Sequence, residues 1–99
     1  MYTINDTINS TLVNGLKVTK LAKSDRYEVL LITLQRDHVF PNHNSPWNAT
    51  LVVLEGEIDF KIRGTNYRLS EHNTFQFPAD TMHSVYGVEN SKFIIIRSW

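Results

Sequence analysis

The chain of 99 residues contains no cysteine. A disulfide framework, a thiolate metal site and thiol catalysis are therefore excluded. Glycine and proline are scarce, at 4 and 3 residues, and no glycine-rich loop of the kind that cradles phosphate is present. Neither a Ser/His/Asp order nor a paired-carboxylate spacing is apparent.

An excess of one charge and a long apolar run are also missing. Lysine plus arginine and aspartate plus glutamate number 10 each, so the formal net charge is zero. That balance argues against bulk electrostatic binding to nucleic acid. The longest wholly apolar runs, 29–32, 51–54 and 93–96, are far shorter than the ~20 residues of a membrane span. With no basic and apolar leader at the N-terminus, we expect a cytoplasmic protein that binds neither nucleic acid nor membrane.

The chain does contain strong two-residue alternation. In residues 57–63, Ile58, Phe60 and Ile62 fall on one face and charged residues on the other, which predicts a strand between a core and water. Similar patterns predict strands at 16–23, 26–35, 49–54, 66–69, 74–77, 83–88 and 91–99. Eight or nine short strands at this spacing indicate an all-β antiparallel sandwich or barrel.

We interpret residues 1–99 as one domain. Residues 1–14 are expected to form an N-terminal arm or short helix that leads into the first strand, and residues 16–99 to form the barrel. Glu55-Gly56 joins two predicted strands with almost no loop, so Gly56 is expected at a bulge or a close backbone approach.

Two stretches of the chain resemble the two motifs of the cupin superfamily of small jelly-roll barrels. In residues 37–56, His43 matches the first histidine of the first motif and Gly56 its closing glycine, while Ser45 replaces the second histidine and Ala49 the glutamate. In residues 72–83, Pro78 and His83 match the second motif, and His72 and Asp80 replace its glycines. The resemblance implies an antiparallel jelly-roll β-barrel.

The resemblance also implies a possible metal site. Metallo-cupins bind divalent iron, manganese, nickel or zinc through two histidines and a glutamate of the first motif and one histidine of the second. First-row metals need three or four converging N and O donors. His43 and His83 are retained here, but Ser45 is a weak neutral donor and Ala49 cannot coordinate. The resulting prediction is a pair of metal ligands, His43 and His83, completed only by waters or a further donor.

Further residues are candidates for the barrel cavity. Trp47 is predicted to cover the cavity, dock on a partner or pack at the edge of the core. His38 and His72 are expected to be solvated loop residues. The cavity candidates are Ser45, Asn48, Gln76, Phe40, Phe60 and Trp47.

Three functions are compatible with these residues. The first is a small-molecule binding module that also holds a divalent metal weakly, if at all, with His43 and His83 at the polar end of the cavity. The second is a metal-dependent dioxygenase, isomerase or decarboxylase acting on a small carbonyl or aromatic acid. The third is a sensor or structural partner, in which any contact with DNA would come from another chain.

Homodimerisation is a separate prediction. The C-terminal strand is apolar on both faces, since Phe93 and Ile95 alternate with Ile94 and Ile96. One face can fill the barrel while the other needs a cover, such as a second copy. A chain of this length buries only about 60–65% of the surface that its unfolded form exposes, so a shared interface would add stability.

Overall fold

Two antiparallel β-sheets pack face to face in the computed structural model, which describes residues 2–99. The elements in chain order are α1 (Thr7–Ser10), β1 (Leu16–Lys23), β2 (Tyr27–Leu34), β3 (Val39–His43), β4 (Asn48–Glu55), β5 (Glu57–Ile62), β6 (Thr65–Ser70), β7 (Thr74–Phe77), β8 (His83–Gly87) and β9 (Ser91–Ser98). One sheet has the order β1-β2-β9-β4-β7 and the other the order β3-β8-β5-β6. The chain crosses repeatedly between the sheets, and the predicted all-β jelly-roll class is confirmed.

The inner faces of the two sheets form the hydrophobic core. Alternate residues of each strand point inward, as the two-residue period requires. Phe60 on β5 and Phe93 on β9 come from opposite sheets and are both fully buried. Around them lie buried aliphatic side chains from both sheets, among them Leu34, Leu51 and Ile58. The packed core fixes the positions of the strand ends that carry the polar residues.

The strand β3 is the main departure from the predicted elements. Its register against β8 shifts between Phe40 and His43, so the strand contains a bulge. Pro41 lies within the bulge and has no N–H to donate to the ladder. The extra residue lets Phe40 and His43, three positions apart, both face the interior.

The N-terminal segment forms a single short helical turn of four residues. Its backbone N–H groups at Ser10 and Thr11 donate to the carbonyls of Asp6 and Thr7, each at 3.0 Å. The buried Lys92 ammonium on β9 donates to the carbonyl of Ile8 at 2.7 Å. An isolated turn of this length is unstable in water. The hydrogen bond from Lys92, which is distant in sequence, therefore holds the turn in place.

Gly56 lies at the close backbone approach that its position predicted. Its φ is +83°, and a Cβ at this residue would come within 2.3 Å of the Asn90 carbonyl oxygen. Only glycine fits there, which allows β5 to follow β4 directly. Within residues 2–99, every helix is too short to cross a lipid bilayer.

Candidate functional site

His43 and His83 face each other across neighbouring strands. They are direct register partners in the β3–β8 pair. Their ring centroids lie 4.2 Å apart, with an angle of 65° between the ring planes. The bulge in β3 creates this juxtaposition because it returns His43 to the inner face after Pro41 and Asn42.

Both imidazoles are oriented by the backbone in the same way. Nδ1 of His43 bonds to the carbonyl oxygen of Pro41 at 2.7 Å, and Nδ1 of His83 to that of Thr81 at 2.8 Å. A carbonyl oxygen only accepts, so the proton of each neutral ring is on Nδ1. Nε2 then carries the lone pair and is the atom available to a ligand.

His83 is the more deeply placed of the two rings. It is only 3% exposed, and its ring packs against Phe60 and Phe77 at centroid distances of 5.4 and 4.7 Å. Burial lowers the pKa of His83 below its ordinary value, the hydrogen bond to Thr81 opposes that shift, and nearby His43 adds to it. The neutral imidazole is therefore the favoured form near pH 7.

A cavity of about 160 Å³ opens between the sheets beside these rings. Most of its wall is apolar and is formed by Val18, Leu30, Ile32, Phe40, Ala49, Phe77 and Ile95. Its polar lining consists of His43, Ser45, His83 and Arg97. Of the predicted site residues, Phe40, His43, Ser45 and His83 line this one cavity.

Four other predicted cavity residues lie elsewhere. Asn48 and Gln76 line an open depression of about 530 Å³ that contains no histidine. They neighbour the inward-facing Ala49 and Phe77 in their strands, so the alternation directs them outward. Phe60 is a core residue behind His83. Trp47 packs against Trp99, with ring centroids 4.8 Å apart, and does not line the cavity.

Arg97 is the cavity residue that sequence reasoning missed. It follows Phe93 and Ile95 on the inward face of β9 and lies opposite Glu28 of β2 in register. Its Nε donates to Oε1 of Glu28 at 2.7 Å, and its Nη2 donates to the same oxygen. The signal in the sequence that could have identified Arg97 is its place at an inward position of an otherwise apolar strand.

Glu28 is a buried carboxylate held by two cations. Its side chain is 5% exposed, and Nζ of Lys20 lies 3.2 Å from its second oxygen, Oε2. The hydrogen bond from Arg97 is the main cause that lowers the pKa of Glu28, against the opposing effect of burial and with help from Lys20. The carboxylate is therefore ionised at neutral pH and fixes Arg97 beside the cavity.

Comparison with protein families identifies the chain. The model of the cupin domain family matches residues 30–96, which is more than half of the chain. This protein belongs to the cupin family. A search of curated proteins finds no match to it.

Solved structures agree with the cupin fold. The conserved SPY1581 protein of unknown function from Streptococcus pyogenes is 20% identical with a TM-score of 0.86, covering 99% of this chain and 88% of that one. An RmlC-like cupin protein from Desulfovibrio desulfuricans is 17% identical with a TM-score of 0.87, covering 99% and 97%. KdgF from Halomonas sp. is 23% identical with a TM-score of 0.79, covering 85% and 78%. At these identities the likeness establishes the fold alone.

The donor set of this cupin does not complete a metal centre. In residues 2–99, no group of three His, Asp or Glu side chains is arranged to hold a metal ion. Ala49 lies at the position of the family's glutamate and contributes a methyl group to the cavity wall. Two imidazoles and a serine hydroxyl do not fit a resident first-row metal that needs three or four donors.

Three motif turns of this cupin carry residues in the left-handed backbone region. Asp37, His72 and Asp80 have φ values of 67°, 71° and 58°. His72 and Asp80 are the two residues that replace glycines of the second cupin motif. Glycine adopts this region without a steric penalty, so the backbone of the family turn is preserved although the glycines are not.

Proposed function

We propose that this cupin is a binding protein for a small molecule, which occupies the cavity between the sheets. The observation that supports this most directly is the pair of imidazoles, His43 and His83, each with Nδ1 tied to the backbone and Nε2 available, beside an apolar wall. A cavity of about 160 Å³ is smaller than the 300–1,000 Å³ pockets that take drug-sized ligands. The ligand is therefore compact, with an apolar body and a polar group at the histidine end of the cavity.

A thermal-shift screen of small molecules tests this proposal. We expect stabilising compounds whose effect disappears in Ala49→Leu, because the larger side chain fills the space beside the histidines. Gln76→Ala, which alters the open depression instead, is the matched control and keeps the effect. Hits that stabilise Ala49→Leu as well as the unaltered protein would contradict binding in this cavity.

We propose further that any divalent ion this site takes up is held weakly and exchanges freely. The two imidazoles alone provide half of the donors of a metallo-cupin centre. Dialysis against metal-free buffer followed by elemental analysis is expected to leave well under one equivalent of metal. A tightly held, stoichiometric ion would refute this and would favour the alternative function.

That alternative is a metal-dependent dioxygenase, isomerase or decarboxylase acting on a small carbonyl or aromatic acid. The observation in favour of this alternative is that the rings of His43 and His83 face each other, with their centroids 4.2 Å apart. It requires His43→Ala and His83→Ala each to lose bound metal and turnover together. Full metal occupancy in either variant would rule out the pair as its ligands.

We also propose that two copies associate through the outer face of the five-stranded sheet. On this face Val29, Val52 and Ile94 are only partly buried, and Ile96 is 36% exposed. These four side chains lie on three adjacent strands and form one apolar patch, which a second copy would cover. Light scattering at micromolar concentration should give twice the monomer mass, and Ile96→Lys should give the monomer; a monomeric unaltered protein would refute the proposal.

A further inference from the structure

The cavity has a cation whose hydrogen-bonding capacity is not saturated. A guanidinium has five N–H donors. Within residues 2–99, the hydrogen bonds of Arg97 use only Nε and Nη2, and both go to a single oxygen of Glu28. Nη1 therefore remains available. The side chain is 28% exposed, so most of it is already withdrawn from water.

The charged groups around Arg97 sum to a net positive charge, which favours the binding of an anion. Glu28 supplies one negative charge, and Arg97 and Lys20 both bind to it. The cavity lining itself contains no carboxylate. A buried or half-buried cation with free donors beside an apolar surface is stabilised by an anion that reaches it.

The position of Arg97 is fixed before any ligand arrives. Glu28 holds one edge of the guanidinium, and the Trp47 ring lies 4.8 Å from its central carbon in a cation–π contact. Trp47 is itself packed on Trp99, whose indole N–H donates to the carbonyl of Asp25. A preorganised donor loses little conformational entropy on binding.

Space for the anion exists next to this donor. Ala49 on β4 is the register neighbour of Arg97 on the side away from Glu28. Its methyl group leaves open the volume that a longer side chain would fill. Leu30, Ile32 and Ile95 provide an apolar wall in the same cavity.

We propose that the ligand of this cavity is a compact monocarboxylate, with its carboxylate on Arg97 and its carbon chain against the apolar wall. This inference rests on the proposed small-molecule function and specifies the ligand class. A hydroxyl group on the acid would donate to Nε2 of His43 or His83. One arginine with unused N–H donors matches one negative charge, whereas a phosphate dianion would need more hydrogen-bond donors than this cavity offers.

The probes are the straight-chain acids from acetate to hexanoate and their 2-hydroxy forms, tested by calorimetry at constant ionic strength. The matched neutral amides are the chemical control. We expect at least one acid to bind about tenfold or more tightly than its amide, since hydrogen bonds to a charged group are strong. Equal binding of acids and amides, no binding of any acid, or tighter binding of inorganic phosphate would overturn the proposal.

Variants then locate the interaction. Arg97→Met is expected to lose about tenfold or more in affinity for the acid, and so is the double variant Glu28→Gln/Arg97→Met, which removes both charges of the pair together and guards against misfolding. Arg68→Met is the matched control, because Arg68 also pairs with carboxylates, Asp59 and Glu57, but on the surface of the other sheet. Unchanged affinity in both Arg97 variants would refute the role of Arg97.

The failure of this inference is distinguishable from that of the proposed function. If neutral compounds bind in a manner that Ala49→Leu abolishes and Arg97→Met does not change, the cavity binds a ligand but not a carboxylate. If the binding of every compound survives Ala49→Leu, both proposals fail.

Discussion

Residues in the left-handed backbone region are a source of strain that this chain retains. A non-glycine residue in that region costs about 1–2 kcal/mol, and the short polar side chain of asparagine or aspartate offsets part of this cost by local hydrogen bonds. His72 and Asp80 both lie there. The side chain of His72 is 80% exposed and its contact with Glu71 is a surface pair, which contributes little to stability.

We therefore expect His72→Gly to raise the free energy of unfolding. The gain should be about 0.5–1 kcal/mol, because relief of the steric strain exceeds the entropic penalty of glycine. Asp80→Gly should gain less. Urea unfolding measures both, and a gain of this size corresponds to about 2–8 °C in Tm for a domain of this length.

His38→Gly is the control for this pair. His38 is also an exposed loop histidine, but its φ is not positive. Glycine there adds only conformational freedom to the unfolded chain, so stability should fall. A gain in His38→Gly equal to that in His72→Gly would argue against backbone strain as the cause.

The individual elements show where sequence reasoning succeeded and where it stopped. Alternation predicted eight of the strands, because it depends only on local side-chain parity. It missed β3, since Pro41 and the bulge interrupt the two-residue period. The prediction that Asn48 and Gln76 line the cavity was wrong. They are the strand neighbours of the inward-facing Ala49 and Phe77, so the alternation turns their side chains outward.

The site depended on pairing between distant strands, which local patterns do not contain. The motif positions of His43 and His83 located one side of the cavity. Arg97 and Glu28 are 69 residues apart in sequence and meet only because β9 inserts beside β2. The position of Arg97 at the cavity therefore cannot be predicted without the strand order.

The N-terminal turn depends on one side chain of a different element. Lys92 donates to the carbonyls of Ile8 and Asn9 at 2.7 and 3.4 Å. A cation is also favoured at this position because the carboxyl end of a helical turn carries a partial negative charge. Lys92→Met should release α1 while the sheets stay folded. Amide hydrogen exchange at Ser10 and Thr11 is expected to accelerate at least about tenfold.

Lys17→Met provides the comparison for that experiment. Lys17 is an exposed residue of β1 and, unlike Lys92, forms no hydrogen bond to the carbonyls of α1 within residues 2–99, so exchange at Ser10 and Thr11 should be unchanged. Equal protection of the two amides in Lys92→Met and in the unaltered protein would show that the turn is held by other contacts.

At the scale of the whole molecule, stability should fall with acid in two separate pH ranges. The pKa of His83 is lowered by burial from 6.5, so the unfolded chain binds this proton more tightly than the folded one. The free energy of unfolding therefore decreases as pH falls below about 6.5, and this loss ends below the folded pKa. His43, which lines the same cavity, lowers the pKa of His83 further.

The second range belongs to Glu28. Its pKa is lowered from 4.5, chiefly by the hydrogen bond from Arg97, so its contribution to stability is present above about pH 4.5 and is lost as pH falls through the lowered value. Urea unfolding across pH should lose the upper slope in His83→Gln and the lower slope in Glu28→Gln. Identical pH profiles in a variant and the unaltered protein would disprove the assignment for that residue.

The central place of β9 in the five-stranded sheet has a kinetic consequence. This strand is the last of the described elements, yet it joins β2 on one side to β4 on the other. The sheet cannot form from neighbouring hairpins alone, and such distant pairings make β proteins fold in milliseconds to seconds rather than microseconds. During that interval the apolar edge of β2 is open to strands of other copies, so the yield on refolding should fall as the protein concentration rises.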